Sequence, residues 1–218
     1  MKLLDEVMQP KIIKRGAKEL REQNPSPEEI NSIQRNPIYI VVDNVLDTYN
    51  VGAIFRLADA ATVSRVYLVG QTNIPTDEKV GHKIQKASVG TWKWTPWEHV
   101  DTIQEALNDI KTVVAGLVPA KFSQATTRVA TTKLPNTNLH IVAIEQSKNS
   151  IPYTEFDYQM PLALILGHET EGVSKEGLAL ADSVVEIPMF GVNKSLNVMV
   201  SLAIVLWHIL EKRGGRFN

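Results

Sequence analysis

Three clusters of residues in this chain have the types and spacing that chemistry needs. The first is Asn50-Val51-Gly52-Ala53-Ile54-Phe55-Arg56, which carries an amide and a guanidinium. A guanidinium keeps its proton at ordinary pH, so it suits a bidentate grip on phosphate or the stabilisation of developing negative charge. The second is Gly167-His168-Glu169-Thr170-Glu171-Gly172-Val173-Ser174, two carboxylates set between glycines that permit tight turns and close backbone approach. The third is Ile187-Pro188-Met189-Phe190-Gly191-Val192-Asn193-Lys194-Ser195-Leu196-Asn197-Val198. Small and polar residues occupy its centre, where a strand-to-helix junction presents free backbone N–H groups to a ligand. Asn197 interrupts an otherwise apolar helix start, and a polar group there needs a partner.

Taken singly, each cluster has an ordinary structural reading. Arg56, flanked by Phe55 and Leu57, reads also as a rim residue with its stem packed on apolar neighbours. The Gly167–Gly172 loop reads also as a solvent turn in which Ser174 caps the next helix, and Asn197 as a local cap. Glu169 and Glu171 are too close in sequence to make a strong acid–base pair signal.

The elements around these clusters alternate. Ile38–Val42 reads as a buried strand, and Asn50 as the N-cap of a helix over Val51–Ala61. Arg65–Val69 is a strand ended by Gly70. Lys79–Ser88 and Asp101–Ile110 are helices, and Val113–Val118, His140–Ile144 and Leu162–Leu166 are strands. Ser174–Ala181 is helical, Val184–Ile187 a strand and Leu196–Glu211 the last helix. This rhythm predicts an α/β fold with a mostly parallel sheet flanked by helices. Residues 1–37 read as a short helical N-terminal extension, broken at Asn24-Pro25-Ser26-Pro27, where Ser26 is placed to cap a second helix. Residues 38–213 form the second unit. The Thr-rich stretch Pro119–Asn138 is an excursion between strands.

Bulk properties exclude several classes. The 218 residues contain no cysteine, which removes thiol catalysis, disulfides and Cys-ligated zinc. The net charge of −1 gives no global pull on anions, so local charge decides partners. Met1–Gln9 lacks the apolar core of a signal peptide, and Leu196–Leu210 is too short and polar to span a bilayer. The expectation is a cytoplasmic protein without a membrane partner.

In order and spacing, the three clusters resemble the signature motifs of the SpoU-type (TrmH-like) RNA ribose 2′-O-methyltransferases of the SPOUT superfamily. They run Asn-x-Gly-x-x-x-Arg, then Gly-x-Glu-x-x-Gly, then Ile-Pro-Met-x-Gly-x-x-x-Ser-Leu-Asn-Val, and the resemblance covers residues 38–211. It implies an α/β domain with a C-terminal deep trefoil knot, a rare exception to unknotted topology. It implies S-adenosyl-L-methionine as cofactor, in a pocket lined by Gly167, Ile187, Met189, Leu196 and Ile144, the last with Glu145 as a neighbour. It implies a homodimer whose active sites draw on both subunits. Arg56 then takes the main catalytic position, with Asn50, Glu169, Ser195 and Asn197 orienting it and holding the acceptor site. The reaction implied is methyl transfer to a ribose 2′-hydroxyl of structured RNA. A short helical extension, instead of the separate RNA-binding domain of many rRNA-modifying members, favours tRNA over rRNA.

Lys79, Lys83 and Lys86 recur at helical spacing with no acid between Lys79 and Lys93, a phosphate-facing ridge that joins Arg56 as an RNA contact; an ordinary solvated face gives the same pattern. The basic residues of the first 21 positions are a second candidate. Trp92 and Trp94 alternate, as on one face of an extended segment, and packing explains them and Trp97 better than base stacking. His168 has no second ligand at metal spacing, so no metal is assigned. Two other readings stand beside the enzyme: a non-catalytic RNA-binding relative of the same fold, and a nucleotide-dependent oxidoreductase. Against the first stands the joint presence of Asn50, Arg56, Glu169, Ser195 and Asn197; against the second, the missing dinucleotide glycine fingerprint.

Overall fold

Ile38–Val42 is apolar without a break, and a strand of that kind must be covered on both faces. The computed structural model, which describes residues 14–116 and 138–214, puts it at the centre of a seven-stranded sheet. Short helices α1 (Ala17–Glu22) and α2 (Pro27–Ser32) precede β1 (Asn36–Asp43). Then follow α3 (Thr48–Ala60), β2 (Val63–Val69), α4 (Gly81–Ser88), a 3-10 turn at Thr91–Lys93, β3 (Trp97–Val100) and α5 (Ile103–Val114). After the undescribed stretch come β4 (His140–Ile144), β5 (Ile151–Pro152), β6 (Leu162–Leu166), α6 (Lys175–Leu180), β7 (Ser183–Glu186) and α7 (Val198–Lys212).

The strand order is β3-β2-β1-β6-β4-β7-β5, and every pairing is parallel. The period-2 alternation of side chains splits each strand between two cores. Ile38, Ile40 and Val42 of β1 join Leu162, Leu164 and Leu166 of β6 against α3 and α7. Tyr39, Val41, Ala163 and Ile165 face α5 on the other side. Burying side chains of this size contributes about 1.5–3 kcal/mol each. β1 and β6 are neighbours, yet β1 leads into α3 on one face and β6 leads toward α6 on the other. That divergence makes a switch point, and ligands of open α/β sheets bind in the crevice it leaves at the carboxyl ends of the strands.

Several elements depart from the periodicity reading. The α3 helix starts two residues before Asn50, and its cap is Asp47, whose side chain accepts from the Tyr49 N–H at 2.7 Å. Val113 and Val114 close α5 and do not begin a strand. The stripe Ile103, Ala106, Leu107, Ile110 and Val114 keeps helical spacing to its end, and packing on the sheet overrules the β-branched pair. Gly116 (φ +75) then turns the chain, and residues 117–137, most of the Thr-rich excursion, lie outside the described residues, as do 1–13. The short edge strands β3 and β5 have too little apolar pattern to announce themselves. Trp92 sits in the 3-10 turn, not in an extended segment with Trp94. Ser26 does cap α2, accepting from Glu29 N–H while the Glu29 carboxylate accepts from Ser26 N–H.

Glycine decides one helix contact. A Cβ on Gly52 would lie 2.5 Å from the Ala87 Cβ, so α3 and α4 approach as closely as they do only with glycine there.

Candidate active site

The switch-point crevice collects all three clusters. From the carboxyl end of β6 the chain enters Gly167, where a Cβ would lie 2.1 Å from the Gly172 carbonyl carbon and the Val173 nitrogen. The loop closes on itself through paired backbone hydrogen bonds between His168 and Gly172, both 2.9 Å. His168 Nδ1 accepts from the Thr170 and Glu171 N–H groups at 3.0 and 3.3 Å, so this ring shapes the loop. Glu145, just past β4, lies over Gly172 and accepts from the Val173 N–H at 2.9 Å. Asp43, buried at the end of β1, accepts from the Ser174 N–H at 2.8 Å. The loop is thus held by carboxylates from both neighbouring strands.

The clusters are joined by one hydrogen-bonded chain. The α7 N-terminal N–H of Met199 donates to Asn197 Oδ1 at 2.9 Å. Asn197 Nδ2 donates to Asn50 Oδ1 at 2.9 Å, and Asn50 Nδ2 donates to Glu169 Oε1 at 3.0 Å. A backbone N–H can only donate and a carboxylate only accept, so the two ends set the orientation of both amides. Asn50 is 5% exposed and its amide is satisfied by this pairing. Glu169 also accepts from the Asp47 and Leu46 N–H groups at 3.0 and 3.2 Å. Burial pushes its carboxyl pKa up, but the hydrogen bonds from Asn50, Asp47 and Leu46 outweigh that and leave it below the usual range.

Beside this chain lies a pocket of about 170 Å³, open on one side. Gly167, Ile187, Met189, Leu196 and Ile144 all line it, together with Glu169 and Ser195. Glu145, Gln146, Glu186 and Val198 are further lining residues. Gln146 Nε2 donates to the Lys194 carbonyl and ties the third cluster to the end of β4. The loop before α7 is otherwise outward-facing, with Phe190 98% exposed and Val192 entirely so. Asn50 and Asn197 stand behind the pocket through Glu169. Arg56 is not in the lining. It is exposed on α3, one turn beyond Gly52, and makes no ion pair among the described residues.

The lysine ridge is only partly helical. Lys83 and Lys86 are exposed on α4, while Lys79 precedes the helix in a turn organised by Asp77, which accepts from the Lys79 and Val80 N–H groups. Two tryptophans pack into the chain itself: Trp94 Nε1 donates to Asp59 at 2.7 Å, and Trp97 meets Phe55 edge-on at 6.1 Å. Among the described residues no His, Asp and Glu cluster could hold a metal ion, and no helix is long and apolar enough to cross a membrane. The carboxylates Asp43 and Glu145 escaped the sequence reading as loop anchors. An acid ending an unbroken apolar strand, as Asp43 does, was the available signal.

Known proteins resemble this chain over most of its length. The tRNA (guanosine(18)-2'-O)-methyltransferase of Aquifex aeolicus is 28% identical over 207 residues, covering 95% of this chain and 81% of that protein. A 23S rRNA (guanosine-2'-O-)-methyltransferase of Haemophilus influenzae is 29% identical over 202 residues, covering 92% and 69%. The crystal structure of the A. aeolicus TrmH/SpoU tRNA modifying enzyme superposes with a TM-score of 0.63 at 28% identity, covering 91% of this chain and 84% of that one. The SpoU methyltransferase AviRb of Streptomyces viridochromogenes, solved with AdoMet, shares the fold with a TM-score of 0.65 at 22% identity; the chain spans 62% of its length. The model of the SpoU rRNA Methylase family matches residues 37–127 and 117–207, and the chain belongs to that family.

Proposed function

We propose that this protein is an S-adenosyl-L-methionine-dependent methyltransferase acting on a ribose 2′-hydroxyl of structured RNA, with tRNA preferred over rRNA. The observation that carries the reading is the chain Asn197–Asn50–Glu169, which joins three distant clusters at the sheet's switch point, against a pocket whose lining suits the donor. Ile144, Leu166, Ile187 and Leu196 offer apolar walls for an adenosyl group, and Gly167 leaves its backbone bare. Bound there, the donor supplies a methyl group on cationic sulfur, already activated for in-line displacement.

The protein's own residues must position the acceptor and manage charge. Arg56 grips the phosphate next to the target ribose and stabilises the developing alkoxide. Asn50, Glu169, Ser195 and Asn197 hold the acceptor site and the loops around it. Lys79, Lys83 and Lys86 contact the RNA backbone. Residues 1–37 act as the substrate-recognising extension of a methyltransferase domain at 38–213, whose C-terminal part forms the trefoil knot. The preference for tRNA is supported by relatives such as those of A. aeolicus and Escherichia coli, named as tRNA (guanosine(18)-2'-O)-methyltransferases.

A homodimer completes the site. The pocket is open on one side, where a second subunit would supply the remaining wall. The fully exposed Phe190 and Val192 on the adjacent loop are apolar surface for a second subunit. We place the protein in the cytoplasm, where its RNA substrates are.

The test is incubation of the protein with methyl-labelled S-adenosylmethionine and, separately, tRNA and rRNA, followed by mass-spectrometric mapping of ribose methylation. Label on a 2′-oxygen of tRNA is the expected result. Donor binding without any transfer to RNA would instead mark a non-catalytic relative.

A further inference from the structure

A second hollow, sharing no lining residue with the switch-point pocket, lies between α1 and the stretch from α4 to the 3-10 turn. It is a half-open hollow of about 340 Å³. Three cations converge on it from three separate elements: Arg21 of α1, Lys86 of α4 and Lys93 of the turn. None has an ion pair among the described residues, and the Lys93 ammonium meets only the neutral Asn24 Oδ1, at 3.4 Å. Arg15 and Arg65, by contrast, are neutralised by Glu29 and by Glu98 with Asp109. One acid, Glu22, lies in the lining against the three cations.

The hollow also holds an aromatic. Trp92 is half-buried, packed on the core on one side and lining the hollow on the other, and its indole N–H has no hydrogen bond among the described residues. Trp94 and Trp97 are used up by Asp59 and Phe55. The C-cap of α4, just before the turn that carries Trp92, is strained: Val89, a β-branched residue lining the hollow, is held at φ +55. Left-handed backbone at such a residue persists where surroundings enforce it, and it gathers at ligand sites.

We propose that this hollow receives one nucleotide of the bound RNA, its base stacked on Trp92 and its flanking phosphates held by Arg21, Lys86 and Lys93. The proposal rests on the RNA-methyltransferase reading and extends it to a docking site separate from the methyl-transfer pocket. Charge plus an aromatic face is the combination that holds an unpaired nucleotide without reading its sequence. The site is continuous with the catalytic helix, because Lys86 precedes Ala87, which packs on Gly52 one turn before Arg56.

The test uses the full chain, unfractionated tRNA and a salt series. The double variant Arg21→Glu, Lys93→Glu should bind tRNA at least tenfold more weakly. Its log–log salt slope should be shallower by about 1.4, two phosphate contacts at roughly 0.7 each for unpaired strands. Trp92→Phe should bind like wild type, and Trp92→Leu about tenfold more weakly. Calorimetric binding of S-adenosylmethionine should be unchanged in all variants, which reports an intact fold. Wild-type tRNA affinity and slope in both the double variant and Trp92→Leu would overturn the hollow while leaving the enzyme reading standing. A wild-type protein that binds no RNA would overturn both.

Discussion

At the scale of single residues, the site is organised by hydrogen bonds whose direction is fixed. Replacing Asn50 with Asp removes the donor to Glu169 and sets a second carboxylate about where that donor stood, 3.0 Å away. We expect Asn50→Asp to lower the melting temperature and S-adenosylmethionine affinity together, with a stability loss of about 1–3 kcal/mol for the broken buried pairing. Thermal melts and calorimetry read both. Arg56 predicts the opposite pattern. It lies outside the pocket, so Arg56→Ala should keep donor affinity within twofold while methyl transfer falls roughly 100-fold or more. Normal turnover in that variant would remove Arg56 from the chemistry. Glu169 sets an acid limit. Its folded carboxyl titrates below its ordinary value of 4.5, so its contribution is complete above that pH. It is lost as pH falls through the lower, folded value. Melts between pH 6 and about 3 should therefore show a loss of stability that is smaller in Glu169→Gln.

At the scale of elements, the pocket depends on a β6 loop folded so tightly that Gly167 touches backbone. Gly167→Ala should force residues 167 and 172–173 apart, cost about 1–3 kcal/mol and abolish measurable donor binding. Retained affinity in calorimetry would show that the loop opens freely. The same element explains what periodicity revealed. β1, β2, β4 and β6 were legible because strands covered on both faces are unbroken apolar runs, and α7 because its apolar residues extend for four turns. The start of α3 was not legible. Asp47 and Asn50 are both good caps, and only tertiary contact with Glu169 decides that Asn50 turns inward. Val113–Val114 misled for the same reason, since strand propensity yields to packing. For the site, the meeting of Gly167, Ile187 and Leu196 followed from the resemblance of the three motifs to a known family, not from their spacing alone. The anchoring by Asp43 and Glu145 was hidden, because it arises only when parallel strands bring their ends together.

At the scale of the whole molecule, a shared active site makes a prediction that a self-contained one does not. Arg56→Ala and Leu196→Glu, each inactive alone, should regain activity when mixed and allowed to exchange subunits. One hybrid site then combines an intact arginine with an intact pocket. Light scattering should first show a particle of twice the chain's 24.3 kDa. No recovery after demonstrated exchange would place Arg56 and the pocket of each site in one subunit. The amide clasp from Asn197 to Asn50 spans 147 residues of sequence. During translation, Asn50 waits for 147 further residues before its carbonyl finds that donor. A product ending between Leu166 and Asn197 has β1 and β6 but leaves Asn50 without this partner. The clasp therefore distinguishes chains that include Asn197 from those that stop short of it, and a protease attacking near Glu169 should cut the shorter ones first.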